Sequence, residues 1–170
     1  MPRKAAGSAL DLNATMRTFA TGVCVVTTFV TVGDQRLHDA AAIRSFASVS
    51  LEPPLVSLAL RRDCEVLATL LTAKVWAVSI LDVAGVDLAH ALAGARDART
   101  RALSTCATSP GPRTGALVLD APGWLECALY DHHDTGDHTV LIGEVLATGG
   151  RLRRPPLVSV NGILCALSEA

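Results

Sequence analysis

Net charge of either sign is almost missing from this chain, whose 170 residues sum to a formal −1. Without a basic surplus there is no electrostatic case for nucleic acid or an acidic membrane surface as a partner. Long apolar runs are missing as well, none approaching the roughly 20 residues that span a bilayer. Met1 to Asn13 has no sustained apolar core after Arg3 and Lys4, so no secretory signal is read there. The cysteines Cys24, Cys64, Cys106, Cys127 and Cys165 form no Cys-x-x-Cys pair, and no neighbouring base marks one as a nucleophile. Most sit in apolar runs, where a thiol acts as a small buried hydrophobe. A reducing cytoplasm is therefore expected. Three nucleotide and hydrolase signatures are also lacking: Gly-x-Gly-x-x-Gly after a strand, Gly-x-x-x-x-Gly-Lys-Ser and Gly-x-Ser-x-Gly. Dinucleotide-binding βαβ units, P-loop phosphoryl transfer and the nucleophile elbow are excluded with them.

What is present is apolar. Hydrophobic residues make up 50% and charged residues only 18%, enough for one domain over 1–170 with its own core. That imbalance predicts apolar surface buried between subunits, hence an oligomer. No internal repeat or low-complexity linker divides the chain.

Periodicity predicts a helix from about Leu10 to Thr21, with Leu12, Met16 and Phe19 on one stripe. A β-branched run, Val23 to Val32, ends at Gly33-Asp34 and reads as strand and turn. One extended stretch covers Leu37 to Val49, and Pro53-Pro54 interrupts before a buried strand at Leu55 to Leu60. Asp63 is placed to cap a helix running to about Thr72, followed by a strand from Lys74 to Leu81 and a helix from Val83 to Ala93. Ala95 to Arg113 reads as the least ordered segment. Strands return at Ala116 to Leu119, Trp124 to Tyr130, His138 to Ala147 and Leu157 to Leu167. Many short strands with few helices predict a mostly β fold, a closed antiparallel sheet with helical caps.

Several segments, in order, resemble the flavin reductase family. They are Phe19-Ala20-Thr21-Gly22-Val23, then Ser45-Phe46-Ala47-Ser48-Val49-Ser50-Leu51-Glu52-Pro53-Pro54, then Trp76-Ala77-Val78-Ser79. Leu125-Glu126-Cys127, Gly136-Asp137-His138-Thr139 and Gly143-Glu144-Val145 follow at the expected spacing. The resemblance implies a six-stranded antiparallel split β-barrel with short capping helices, an FMN-binding split barrel that is usually a homodimer. It further implies an NAD(P)H:flavin oxidoreductase that uses NADH or NADPH to reduce FMN or FAD for a partner flavin-dependent monooxygenase. The redox chemistry is the cofactor's, while the protein supplies position and electrostatics.

Carried onto this chain, the resemblance implies a flavin wall at Ala42, Ile43, Arg44 and Ser45, with Ser48 and Ser50 beyond it. Arg44 either clamps a phosphate, as a guanidinium suits, or fills the space a ribityl chain would need. The family's second flavin segment falls on Arg61-Arg62-Asp63-Cys64-Glu65. Arg61 and Arg62 favour a phosphate there. Asp63 and Glu65, anions at a helix start, compete with it for the same donors. His138 matches a histidine near the nicotinamide end and is the candidate catalytic residue. His132 and His133, flanked by Asp131 and Asp134, are adjacent on a strand and face opposite ways, so no metal site is read. A second reading remains open: a diverged barrel that no longer turns over flavin and binds or converts an apolar metabolite.

Overall fold

The computed structural model describes residues 9–151 and 153–167. Its main sheet has seven antiparallel strands in the order β3-β2-β6-β9-β10-β5-β4. These are β2 (Cys24–Val32), β3 (Gln35–Ile43), β4 (Ala47–Leu51), β5 (Pro54–Arg61), β6 (Val75–Ile80), β9 (Gly123–Thr135) and β10 (His138–Gly149). β1 (Thr21–Gly22), β11 (Leu157–Val160) and β12 (Ile163–Ala166) form a small second sheet, and β7 (Thr108–Pro110) pairs with β8 (Leu117–Leu119). The helices are α1 (Ala9–Arg17), α2 (Glu65–Ala73), α3 (Val86–Ala91) and α4 (Arg96–Thr105), with a 3₁₀ turn at Val83–Gly85.

The mostly β expectation holds, but the six-stranded closed barrel does not. Seven strands are present, and among the described residues no backbone ladder closes the sheet. The reason lies in the stretch expected as one strand, Leu37 to Val49. The chain leaves β3 at Ile43 and begins β4 at Ala47, and these two strands are the opposite edges of the sheet. Arg44-Ser45-Phe46 thus crosses from one edge to the other. Four residues reach at most about 14 Å when extended, so the sheet must curl until its edges nearly meet. The seam is bridged by a side chain. Ser45 Oγ donates to the Ala59 carbonyl at 2.9 Å and accepts from the Ala59 N–H at 3.0 Å.

Turn chemistry fixes the hairpins. Gly33 (φ +59°) begins the β2–β3 turn and Gly136 (φ +63°) the β9–β10 turn, each the first central residue of a two-residue loop. The tail expected as one strand is a third hairpin, because Asn161 (φ +52°) and Gly162 (φ +78°) both take the left-handed region. Strand β9 runs five residues past the expected end at Tyr130, so His132 and His133 lie in an exposed ladder with β10.

β2 is buried on both faces. Cys24 and Val26 join Leu58, Leu70, Trp76, Cys127 and Leu141 beneath α2. Val23 and Val25 join Leu88, Leu92, Leu103 and Leu157 under α3 and α4. The first helix departs from this pattern: Leu12 and Met16 on α1, and Phe19 just after it, are all more than half exposed.

Candidate functional site

A cavity of about 1020 Å³ opens at the seam where β3 and β5 approach without pairing. Ala41 to Ser45 form one wall and Ala59 to Arg61 the facing one. The start of α2, the α3–α4 connection, the end of α1 and the β11–β12 hairpin complete it.

Six of the sequence-derived candidates meet here: Ala42, Ile43, Arg44, Ser45, Arg61 and His138. His138 and Arg61 are directly opposite each other on β10 and β5. Three others lie outside the cavity. Ser48 is on the exposed edge strand, the Ser50 hydroxyl accepts from the Glu52 N–H at 3.2 Å, and Arg62 faces Asp134 at 3.6 Å.

Charge pairing reshapes the rim. Asp63 does not cap α2; its N-cap is Cys64, which makes no side-chain cap bond. Asp63 instead accepts from Arg61 Nε at 2.9 Å and Nη2 at 2.5 Å. That hydrogen bond holds its carboxyl below the usual carboxylate range. Glu65 is turned toward Arg99, which donates to it at 2.8 Å. The two anions expected to compete with a phosphate are therefore each tied to an arginine.

Arg99 was not legible as a site residue, because its helix falls in the segment expected to be least ordered. Helix α4 carries it to the cavity floor, where it is 9% exposed. Its Nε reaches Asp39 Oδ1 at 3.2 Å, Nη2 reaches Oδ2 at 3.3 Å, and Nη1 donates to the Gly94 carbonyl at 3.1 Å. Burial alone would lower its pKa, but the bonds to Asp39 and Glu65 outweigh that and raise it.

His138 Nδ1 lies 2.7 Å from Asp137 Oδ1, and that bond keeps the Asp137 carboxyl low. An ionised Asp137 accepts, so Nδ1 carries the proton and Nε2 remains for a ligand. Arg44 Nη1 donates to Ser159 Oγ at 3.2 Å. Met16 and Arg17 reach the cavity from α1, and Phe19 from just beyond its end. The only hint of this in the sequence was the apolar stripe. Among the described residues no group of three or more potential metal ligands is present, and no helix is long and apolar enough to cross a membrane.

The sequence matches the family described as "Flavin reductase like domain" over residues 16–168. It is 35% identical over 151 residues to the NADH-dependent FAD reductase of Streptomyces globisporus, covering 80% of this chain and 80% of that protein. The flavin reductase component of a bacterial two-component tryptophan halogenase superposes with a TM-score of 0.84 at 32% identity, over 96% of this chain and 100% of that one. An NADH:FAD oxidoreductase structure from Streptomyces globisporus, in complex with NAD and FAD fragments, gives a TM-score of 0.84 at 28% identity, over 94% and 92% of the two chains.

Proposed function

Because this chain belongs to the flavin reductase family, we propose that it is an NADH-dependent reductase that supplies reduced flavin, FAD or FMN, to a separate oxygenase or halogenase. The observation that carries this reading is the seam cavity, in which Arg44, Ser45 and His138 converge.

The residues present fit such a group. The cavity volume of about 1020 Å³ lies at the upper end of small-molecule sites. Its walls are small or aliphatic at Ala41, Ala42, Ala59, Leu60, Ala93 and Gly94, which leaves room for planar rings. Its polar groups include guanidiniums, hydroxyls and one imidazole, donor types that suit phosphate and carbonyl oxygens, while its one carboxylate, Asp63, is paired with Arg61. When bound, a flavin supplies the hydride-accepting chemistry itself.

The chain's own contribution is positional. Ser45, fixed by two bonds to Ala59, holds the β3 wall at a constant distance from β5. Asp137 fixes the His138 ring through Nδ1, so that Nε2 is presented to a carbonyl or carboxamide. The aliphatic floor of Ile43, Leu60, Val66 and Leu92 excludes water, which strengthens each polar contact made there. Holding two rings in contact supplies much of the acceleration in a direct transfer.

We further propose a homodimer in a reducing compartment. The dimer is supported by apolar exposure on α1 and on edge strand β4, where Leu51 is 89% exposed. The compartment is supported by five free cysteines. Light scattering in solution tests the dimer.

The primary test is titration of the purified protein with FAD and FMN, followed by the absorbance of NADH with free flavin added. Flavin binding and accelerated NADH oxidation are expected. A protein that ignores both flavins would favour the apolar-metabolite reading instead.

A further inference from the structure

We propose that the phosphate end of the bound nucleotide is held by Arg17 and Arg44, whose side chains meet at the β11–β12 hairpin, not by the Arg61–Arg62 segment at the start of α2. This inference rests on the flavin reductase reading and adds the place and residues of the anion subsite.

Four arginines line the cavity: Arg17, Arg44, Arg61 and Arg99. Two are neutralised. Arg61 is closed into a two-pronged pair with Asp63, and Arg99 faces both Asp39 and Glu65. A phosphate approaching α2 would therefore meet two carboxylates within three residues of the helix start, each already paired. Arg17 and Arg44 have no carboxylate partner among the described residues.

Both reach the β11–β12 hairpin from outside it, Arg17 from the end of α1 and Arg44 from the β3–β4 connection. Arg44 Nη1 donates to Ser159 Oγ on β11. Arg17 lies over the turn three residues further on: a Cβ at Gly162 would stand 2.3 Å from its Nη2. Its backbone is tied to the same turn, the Asn161 N–H donating to the Arg17 carbonyl at 2.6 Å. The Asn161-Gly162 turn thus leaves open the space the guanidinium occupies and fixes the end of α1 beside it. With no carboxylate to neutralise either of them, both guanidiniums are left for an anion at this hairpin. Guanidiniums bind phosphate oxygens with two parallel donors each, and the Ser159 hydroxyl supplies a further one.

The test uses fluorescence quenching of riboflavin, FMN and FAD by the full chain, and calorimetric titration with inorganic pyrophosphate. Arg17→Gln and Arg44→Gln are each expected to weaken FMN, FAD and pyrophosphate binding about tenfold, roughly the value of one charge-assisted hydrogen bond. Riboflavin, which has no phosphate, should change less than twofold. Arg101→Gln, on the exposed face of α4, is the charge-matched control. Equal loss for riboflavin and FMN would show that the arginines contact the ring, and would overturn the subsite. So would a larger loss of FMN and FAD from Arg61→Gln than from either variant. Wild-type protein that binds pyrophosphate through Arg17 and Arg44 but no flavin would sink the reductase reading while the subsite stands. Binding of neither pyrophosphate nor flavin removes both.

Discussion

The indole of Trp76 occupies the space that a side chain at residue 143 would need. A Cβ built on Gly143 would stand 2.4 Å from Trp76 Cζ2 and 3.0 Å from the Cys127 Cβ. Trp76 is fully buried and Gly143 follows a register shift in the β9–β10 ladder, so neither neighbour can yield. Gly143→Ala is expected to destabilise the fold by about 1–3 kcal/mol, the usual cost of overpacking. Urea denaturation followed by tryptophan fluorescence measures it. An unchanged midpoint would mean the sheet relaxes around the added methyl.

Arg99 and Asp39 form the most deeply buried ion pair among the described residues, with side chains 10% and 1% exposed. Removing one partner strands the other. Arg99→Met should cost about 3–5 kcal/mol. The double variant Arg99→Met with Asp39→Asn should recover part of that loss, because no buried charge is left unpaired. A double variant less stable than the single one would refute this account.

Glu126 is fully buried and has no cationic partner among the described residues; its carboxylate is wrapped by the loop before β8. It accepts from the Arg113 N–H at 3.1 Å, the Thr114 N–H at 2.7 Å and the Thr114 hydroxyl at 2.7 Å. Glu126→Ala leaves two backbone donors without their acceptor, at about 1–3 kcal/mol. Hydrogen exchange at residues 113 and 114 should accelerate, while the amides of β2 stay protected.

Cys24 and Cys127 set an alkaline limit. Burial pushes the thiols of both up to about 12, with the Glu126 charge adding to the shift at Cys127. Their ordinary value is near 9. A folded-state pKa above the unfolded one stabilises below the unfolded value, and that contribution is lost as pH rises between the two. Stability should therefore fall from about pH 9 toward pH 12, by up to about 1.4 kcal/mol per pH unit for each thiol. Serine at both positions should flatten that slope. A thiol reagent at neutral pH should modify these two only after unfolding.

Local signals in the sequence located most strands. The β-branched run closed by Gly33-Asp34 gave β2 and its turn, and the strands at 55–60 and 74–81 fall within a residue of β5 and β6. Asn161-Gly162 was equally local, yet the apolar residues on both sides hid the turn inside one apparent strand. The break at Arg44 to Phe46 was harder to see. Nothing in the local pattern says that the strand before it and the strand after it belong to opposite edges. Only the ladder of β10 with β5 decides that. For the site, chain order placed Arg44, Ser45, Arg61 and His138, since their segments resemble those of the family. Arg17 and Arg99 depend on helices docking across the seam. Their helices offered weak cues, one exposed apolar stripe and one charge-rich stretch.

The unpaired seam has a consequence for traffic. A guest entering between β3 and β5 displaces water and side chains but parts no backbone ladder, so neither arrival nor departure requires the scaffold to unzip. That arrangement suits a carrier whose cargo must leave while still reactive.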